Sequence, residues 1–127
     1  MNLLQSQVPL GFEGLTEDPK IGRLSINKTI SGDLTATTVG QMLSAGTEVK
    51  GSAGYVAIEK VTGTLDGKTG TFVLQHSGIM TKGAPTLVVT VVPDSGTGEL
   101  VGLAGDFAIA MEGGKHAYEF RYLLPEA

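Results

Sequence analysis

The sequence predicts an all-β fold, a closed antiparallel barrel of seven or eight strands in meander order, on three observations. First, 19 Gly and 5 Pro are spread so evenly that the longest run free of both is ten residues, Lys115–Leu124. A globular helix averages about 11–12 residues, and an interior glycine costs roughly 1 kcal/mol relative to alanine, so helix has almost nowhere to form. Second, the segments between breakers are rich in Thr, Val and aromatic residues, which suit a pleated surface. Third, Asp66-Gly67 and Gly113-Gly114 stand between such segments as two-residue hairpin turns.

In chain order the expected strands are Ile21–Asn27, Ile30–Ser44, Ala53–Leu65, Lys68–Gly78, Thr86–Val92, Gly98–Glu112 and Lys115–Leu124, with a short piece near Val8–Gly14 as an eighth. Short joints make sequence neighbours neighbours in space. Glycines inside the long strands, Gly40, Gly102 and Gly105, suit the bends of a closing sheet. Closure removes both edges. A two-sheet sandwich is the alternative. The 127 residues form one domain, residues 1–127.

The Asp66-Gly67 turn sets a register. Counting outward pairs Leu65 with Lys68, Val61 with Phe72, Glu59 with Leu74 and Ala57 with His76. Faces alternate with period two, so Tyr55, Ala57, Glu59, Val61, Phe72, Leu74 and His76 share a side, taken as interior because it holds both aromatics. The Gly113-Gly114 turn pairs Met111 with His116, Phe107 with Phe120 and Asp106 with Arg121. Opposite charges facing each other at Asp106–Arg121 and Glu112–Lys115 support that register independently. If Val92 faces Glu99 across the loop Pro93–Gly98, then Val88, Thr90, Val92, Val101 and Leu103 point inward. Leu87, Val89, Val91 and Leu100 then form an apolar outer stripe, from which we expect a homo-oligomer, most simply a dimer.

Composition excludes several classes. The chain has no cysteine, so it has no disulfide scaffold, thiol nucleophile or cysteine metal cage. Its nine Lys and Arg are scattered in a chain of net charge −4, so no basic face awaits nucleic acid. The first twenty residues lack a basic start and an apolar core, and no apolar run approaches the ~18 residues of a membrane helix. The expectation is a cytoplasmic protein that engages neither membrane nor nucleic acid. Gly96-Thr97-Gly98 matches no phosphate-binding pattern and reads as a turn.

Chemistry is sought at one mouth. Tyr55, His76 and His116 fall on the inner face towards the end away from Asp66-Gly67, with Glu59 deeper and diagonal to His76. These four are the candidate ligand-binding residues. An inward carboxylate needs a partner, because burying a charge alone is costly. Glu59 and His76 could share a proton or hold a ligand; the bland alternative is a satisfied polar pair that fixes register. Two histidines and a carboxylate could in composition bind a metal, but no short spacing such as H-x-H supports one. No metal and no cofactor is therefore expected.

Three stretches, YVAIEKVTGTLDGKTGTFVLQHSG (Tyr55–Gly78), VVPDSGTGELVGLAG (Val91–Gly105) and KHAYEFRYLL (Lys115–Leu124), resemble a bacterial family of unknown function. It is placed among barrels similar to plant allene oxide cyclase and dirigent proteins. The resemblance covers roughly the last two-thirds of the chain and implies an eight-stranded antiparallel barrel. It implies no activity, since a shared fold does not carry function. The expectations are then a small β-barrel protein binding a partly apolar molecule at one mouth, an isomerase or cyclase using Glu59 and His76 as acid and base, or a structural module without ligand. Whether the chain is an enzyme is left open.

Overall fold

The computed structural model describes residues 2–10, 21–112 and 115–125, with side chains for 21–108 and 119–125. Eight strands form one antiparallel meander sheet: β1 (Asn2–Leu10), β2 (Ile21–Ser31), β3 (Leu34–Gly46), β4 (Ala53–Leu65), β5 (Lys68–Thr81), β6 (Ala84–Val91), β7 (Ala104–Glu112) and β8 (Lys115–Leu123). Turn chemistry sets the hairpins. Asp66 and Gly67 both have positive φ, 48° and 83°, as a type I′ turn requires. Lys82 and Gly83 repeat the geometry at 48° and 90°, closing β5 on β6 at Thr81↔Ala84.

Both expected registers hold. Leu65 pairs with Lys68, Val61 with Phe72, Glu59 with Leu74 and Ala57 with His76. Phe107 pairs with Phe120, and Asp106 with Arg121, whose side chains meet at 3.0 Å on the surface. Alternation then delivers the core to one face: Ile30, Leu34, Ala36, Val61, Leu65, Phe72, Leu74, Val89 and Val91, with Phe107, Phe120 and Tyr122 packed against them.

The sheet is curled but open, which corrects the closed barrel expected from the sequence. Curling is plain from the aromatic contacts. Phe72 on β5 lies 5.9 Å, centroid to centroid, from Phe120 on β8, and Phe120 stacks on Phe107 at 4.3 Å. The Tyr122 hydroxyl of β8 donates to the Asp66 carboxylate in the β4–β5 turn. Yet the strand order runs from β1 to β8 without returning, and no pairing joins β1 to β8 among the described residues. The physical reason lies at β6 and β7, which pair only at Val89↔Phe107 and Thr90↔Asp106. Between them the chain leaves the ladder, and Leu100, in a 3₁₀ turn at Gly98–Leu100, and Leu103 are buried instead. Closure needs a continuous staggered ladder, and that excursion interrupts it.

The same excursion overturns the expected register of β6. Val89, Val91 and Leu100 are buried at 4%, 2% and 0% exposure, whereas Val88 and Val101 stand 54% and 64% exposed. Of the proposed outer stripe only Leu87 reaches the surface, at 36%. Large apolar residues do occupy the outer face, but at Val39, Leu43, Val56, Ile58, Ile79 and Val88.

The segment after β6 runs alongside β5 rather than making a hairpin. Its side chains take over the ladder. Ser95 Oγ accepts from the Val73 N–H at 3.0 Å, Thr97 Oγ1 from the Thr71 N–H at 3.1 Å, and a Glu99 carboxylate oxygen from the Thr69 N–H at 3.1 Å. Both series step by two residues in opposite directions, so alternate side chains of Ser95-Gly96-Thr97-Gly98-Glu99 serve alternate amides of β5. The glycines between allow the approach: a Cβ on Gly98 would sit 2.9 Å from the Thr69 carbonyl oxygen.

Candidate functional site

Four strands each send one inward side chain to a single buried cluster. Glu59 on β4 is 1% exposed, yet both of its oxygens are occupied. Its Oε1 lies 2.8 Å from His76 Nε2 on β5, and its Oε2 accepts from Thr38 Oγ1 on β3 at 2.5 Å. Lys28 Nζ on β2 stands 3.4 Å from each oxygen. Short O–H···O⁻ and N–H···O⁻ contacts of this kind are the stronger class of hydrogen bond.

Local sequence explains each placement. Glu59 and His76 are diagonal across the β4–β5 hairpin, since Glu59 pairs with Leu74 and His76 with Ala57. Thr38 comes within reach because β3 draws close to β4 at Gly40, the partner of Glu59. A Cβ on Gly40 would lie 2.8 Å from Glu59 Cα, so only glycine admits that approach. Lys28 shares the inner face with Ile26 and Ile30 through period two, and it pairs with Thr38 across β2–β3.

The electrostatics follow from this packing. Burial alone would push the Glu59 carboxyl up. The His76 hydrogen bond, the Lys28 ammonium and the Thr38 hydroxyl together outweigh it and hold the group below its ordinary 4.5. Glu59 is therefore a carboxylate at neutral pH, with Lys28 balancing its charge. A carboxylate only accepts hydrogen bonds, so His76 Nε2 must be the donor. The imidazole is thereby fixed in orientation, the role a carboxylate plays behind a catalytic or metal-binding histidine. The His76 side chain is 10% exposed and that of Lys28 14%, against 1% for Glu59.

Glu59 and His76 thus meet as expected, and Lys28 and Thr38 join them unforeseen. Tyr55 is one cross-strand row beyond His76, paired with Gly78, and its ring covers that glycine so closely that a Cβ there would collide with it. It belongs to the same end of the inner face but is not among the ligands of Glu59. The backbone of His116 lies in β8 opposite Met111, and its side chain is outside the described residues. Near the Asp66 turn a cavity of about 250 Å³ is lined by Asp33, Leu34, Leu65, Asp66, Glu119, Phe120 and Tyr122. No group of three or more His, Cys, Asp or Glu is arranged to hold a metal among the described residues. No helix is long and apolar enough to cross a membrane among them.

The family model DUF3224, described as a protein of unknown function, matches residues 9–122. The chain is similar to a crystallised DUF3224 protein of unknown function from Shewanella oneidensis MR-1, at 48% identity and a TM-score of 0.89, over 98% of this chain and 94% of that one. Comparison with curated proteins gives no match. The chain belongs to the DUF3224 family. The finer likeness to allene oxide cyclase drawn from the sequence finds no support in these matches.

Proposed function

We propose that this DUF3224 protein binds a small, partly apolar molecule on the inner face of its curled sheet, with the ligand's polar group at His76 and Glu59 as the positioning residue. One observation carries the reading: a buried carboxylate held by donors from three other strands, one of them an imidazole at 2.8 Å whose side chain keeps 10% exposure. Around His76 the cross-strand neighbours Ala57 and Val89, both buried, with Phe107 beyond, are the apolar groups the rest of the ligand would meet. Pockets of this type combine apolar walls with a few converging polar groups.

The test is a thermal-shift screen of apolar fragments on wild type, His76→Gln and Glu59→Gln. Fragments that raise the wild-type midpoint should lose their effect in both variants, while the unliganded variants remain folded. Shifts retained in His76→Gln would remove this site.

A second reading is supported by the same contact. With Nε2 donating to a carboxylate, Nδ1 can take a proton from a substrate carbon and return it elsewhere, an isomerisation that consumes no cofactor. Under that reading His76→Gln abolishes turnover of a bound carbon acid whose C–H faces Nδ1, measured as loss of deuterium uptake from solvent, while Glu59→Gln slows it.

A further inference from the structure

The hydrogen-bond polarity of the cluster sets the class of ligand. Resting on the binding site proposed above, we propose that His76 selects a molecule with a hydroxyl donor, such as a phenol, enol or alcohol, and rejects an ether or ketone of the same shape.

The argument starts at Glu59. Its two oxygens accept from His76, Thr38 and Lys28, so it has nothing to donate and Nε2 carries a hydrogen. A neutral imidazole has one N–H. Committing it to Glu59 leaves Nδ1 as a bare lone pair. The neutral ring is the form that keeps the cluster uncharged, because Lys28 already balances Glu59. A second cation would have only the carboxylate already shared with Lys28 to balance it, its other neighbours Ala57, Leu74 and Val89 being buried and apolar. A ligand reaching His76 therefore meets an acceptor. A hydroxyl completes it, whereas an ether or ketone oxygen brings lone pair against lone pair and leaves both unsatisfied. Sites built this way discriminate strongly, since the unpaired buried group carries the penalty. The apolar row of Ala57, Val89 and Phe107 beside the ring suits a phenol or another hydroxyl on a flat apolar body.

Phenol and anisole share a ring and differ by one O–H, which makes them the probes. The full chain is examined at neutral pH by long-range ¹H–¹⁵N correlation of its two imidazoles. His76 is assigned by the signals missing in His76→Gln. The free protein should show His76 with Nε2 protonated and Nδ1 bare. Phenol should shift the Nδ1 resonance and bind roughly tenfold or more tightly than anisole. A proton on Nδ1 in the free protein overturns the proposal without reference to any ligand. Equal affinities, with both probes shifting His76, overturn the donor class and leave the binding site standing. Neither probe shifting His76 overturns the donor proposal. If the fragment screen also yields nothing that depends on His76, the binding reading falls with it.

Discussion

Replacing Glu59 with glutamine removes one charge from the cluster and almost no volume. Thr38 and His76 can still donate to the amide oxygen, but to a neutral acceptor. Hydrogen bonds to charged groups are worth about 1.5–3 kcal/mol against about 0.5–1.5 kcal/mol for neutral ones, so two such contacts lose roughly 2 kcal/mol together. Lys28 then keeps a charge at 14% side-chain exposure with its counter-ion gone. Removing one member of a fully buried pair costs about 3–5 kcal/mol, and Lys28's residual access to water places this site at the low end. Glu59→Gln should therefore lower stability by about 2–4 kcal/mol at pH 7, read as a lower urea midpoint with an unchanged slope. The pH dependence fixes the cause. The carboxyl is held below its ordinary 4.5 in the folded chain, so the unfolded chain binds its proton first as pH falls. The contribution is complete above 4.5 and is lost as pH drops through the lower folded value. The gap between wild type and Glu59→Gln should narrow accordingly on acidification. A gap that is constant from neutral to acid pH would refute the assignment of Glu59 as a buried, donor-stabilised carboxylate.

Three further outcomes follow from named contacts. Thr38→Val keeps the shape and deletes the 2.5 Å donor to Glu59, and should cost about 1.5–3 kcal/mol by urea denaturation. It should also raise the Glu59 midpoint measured by carboxyl NMR. Ser95→Ala leaves the part-buried Val73 N–H without its acceptor and should cost about 1–3 kcal/mol, more than Glu99→Ala, whose amide partner at Thr69 is exposed to water. A larger loss for Glu99→Ala would contradict the side-chain ladder. Tyr122 donates to Asp66, whose hydrogen bond and charge, with some burial, push the phenol above its ordinary 10.0. One of the three tyrosines should thus ionise late in an alkaline absorbance titration, and Asp66→Asn should bring it back. The sign is that of a raised acid: its stabilisation is full below 10.0 and disappears as pH rises through the folded value.

What was legible in the sequence was whatever a tight turn and alternation determine together. Asp66-Gly67 fixed thirteen consecutive partners from Ala53↔Met80 to Leu65↔Lys68, because two positive-φ residues admit one loop length and the flanking faces differ in polarity. Leu87-Val88-Val89-Thr90-Val91-Val92 lacks that contrast. Either face of such a run can be the buried one, so its register depended on treating Pro93–Gly98 as a hairpin loop. The loop instead lies along β5, and the assignments of Val88, Val89, Thr90 and Val91 inverted, while Leu87 stayed at the surface. Closure failed for a related reason. A β1–β8 ladder is a contact between the ends of the chain, and no local pattern reports it; the interruption after Val91 comes from packing of Leu100 and Leu103.

The site was half legible, and the missing half follows from a misplaced boundary. Glu59 and His76 lay on the well-determined hairpin, so their meeting could be counted. The expected strands end at Asn27 and resume at Ile30, which leaves Lys28 in the joint, where a lysine needs no explanation. In the structure β2 continues to Ser31, and Lys28 becomes an inward cation between Ile26 and Ile30. The signal was present in that alternation, Ile-x-Lys-x-Ile, and in its counterpart Leu34-x-Ala36-x-Thr38 on the neighbouring strand. An inward lysine and an inward glutamate each carry a burial cost that the other relieves. Two apparent exceptions to alternation in one small domain are therefore better read as one cluster than as two errors. A Glu59–His76 pair with neither Lys28 nor Thr38 would leave the imidazole as the carboxylate's sole partner. With Lys28 beside that charge and Thr38 on the second oxygen, His76 is one donor of three. The difference between those two arrangements lies in residues of β2 and β3, not in the histidine itself.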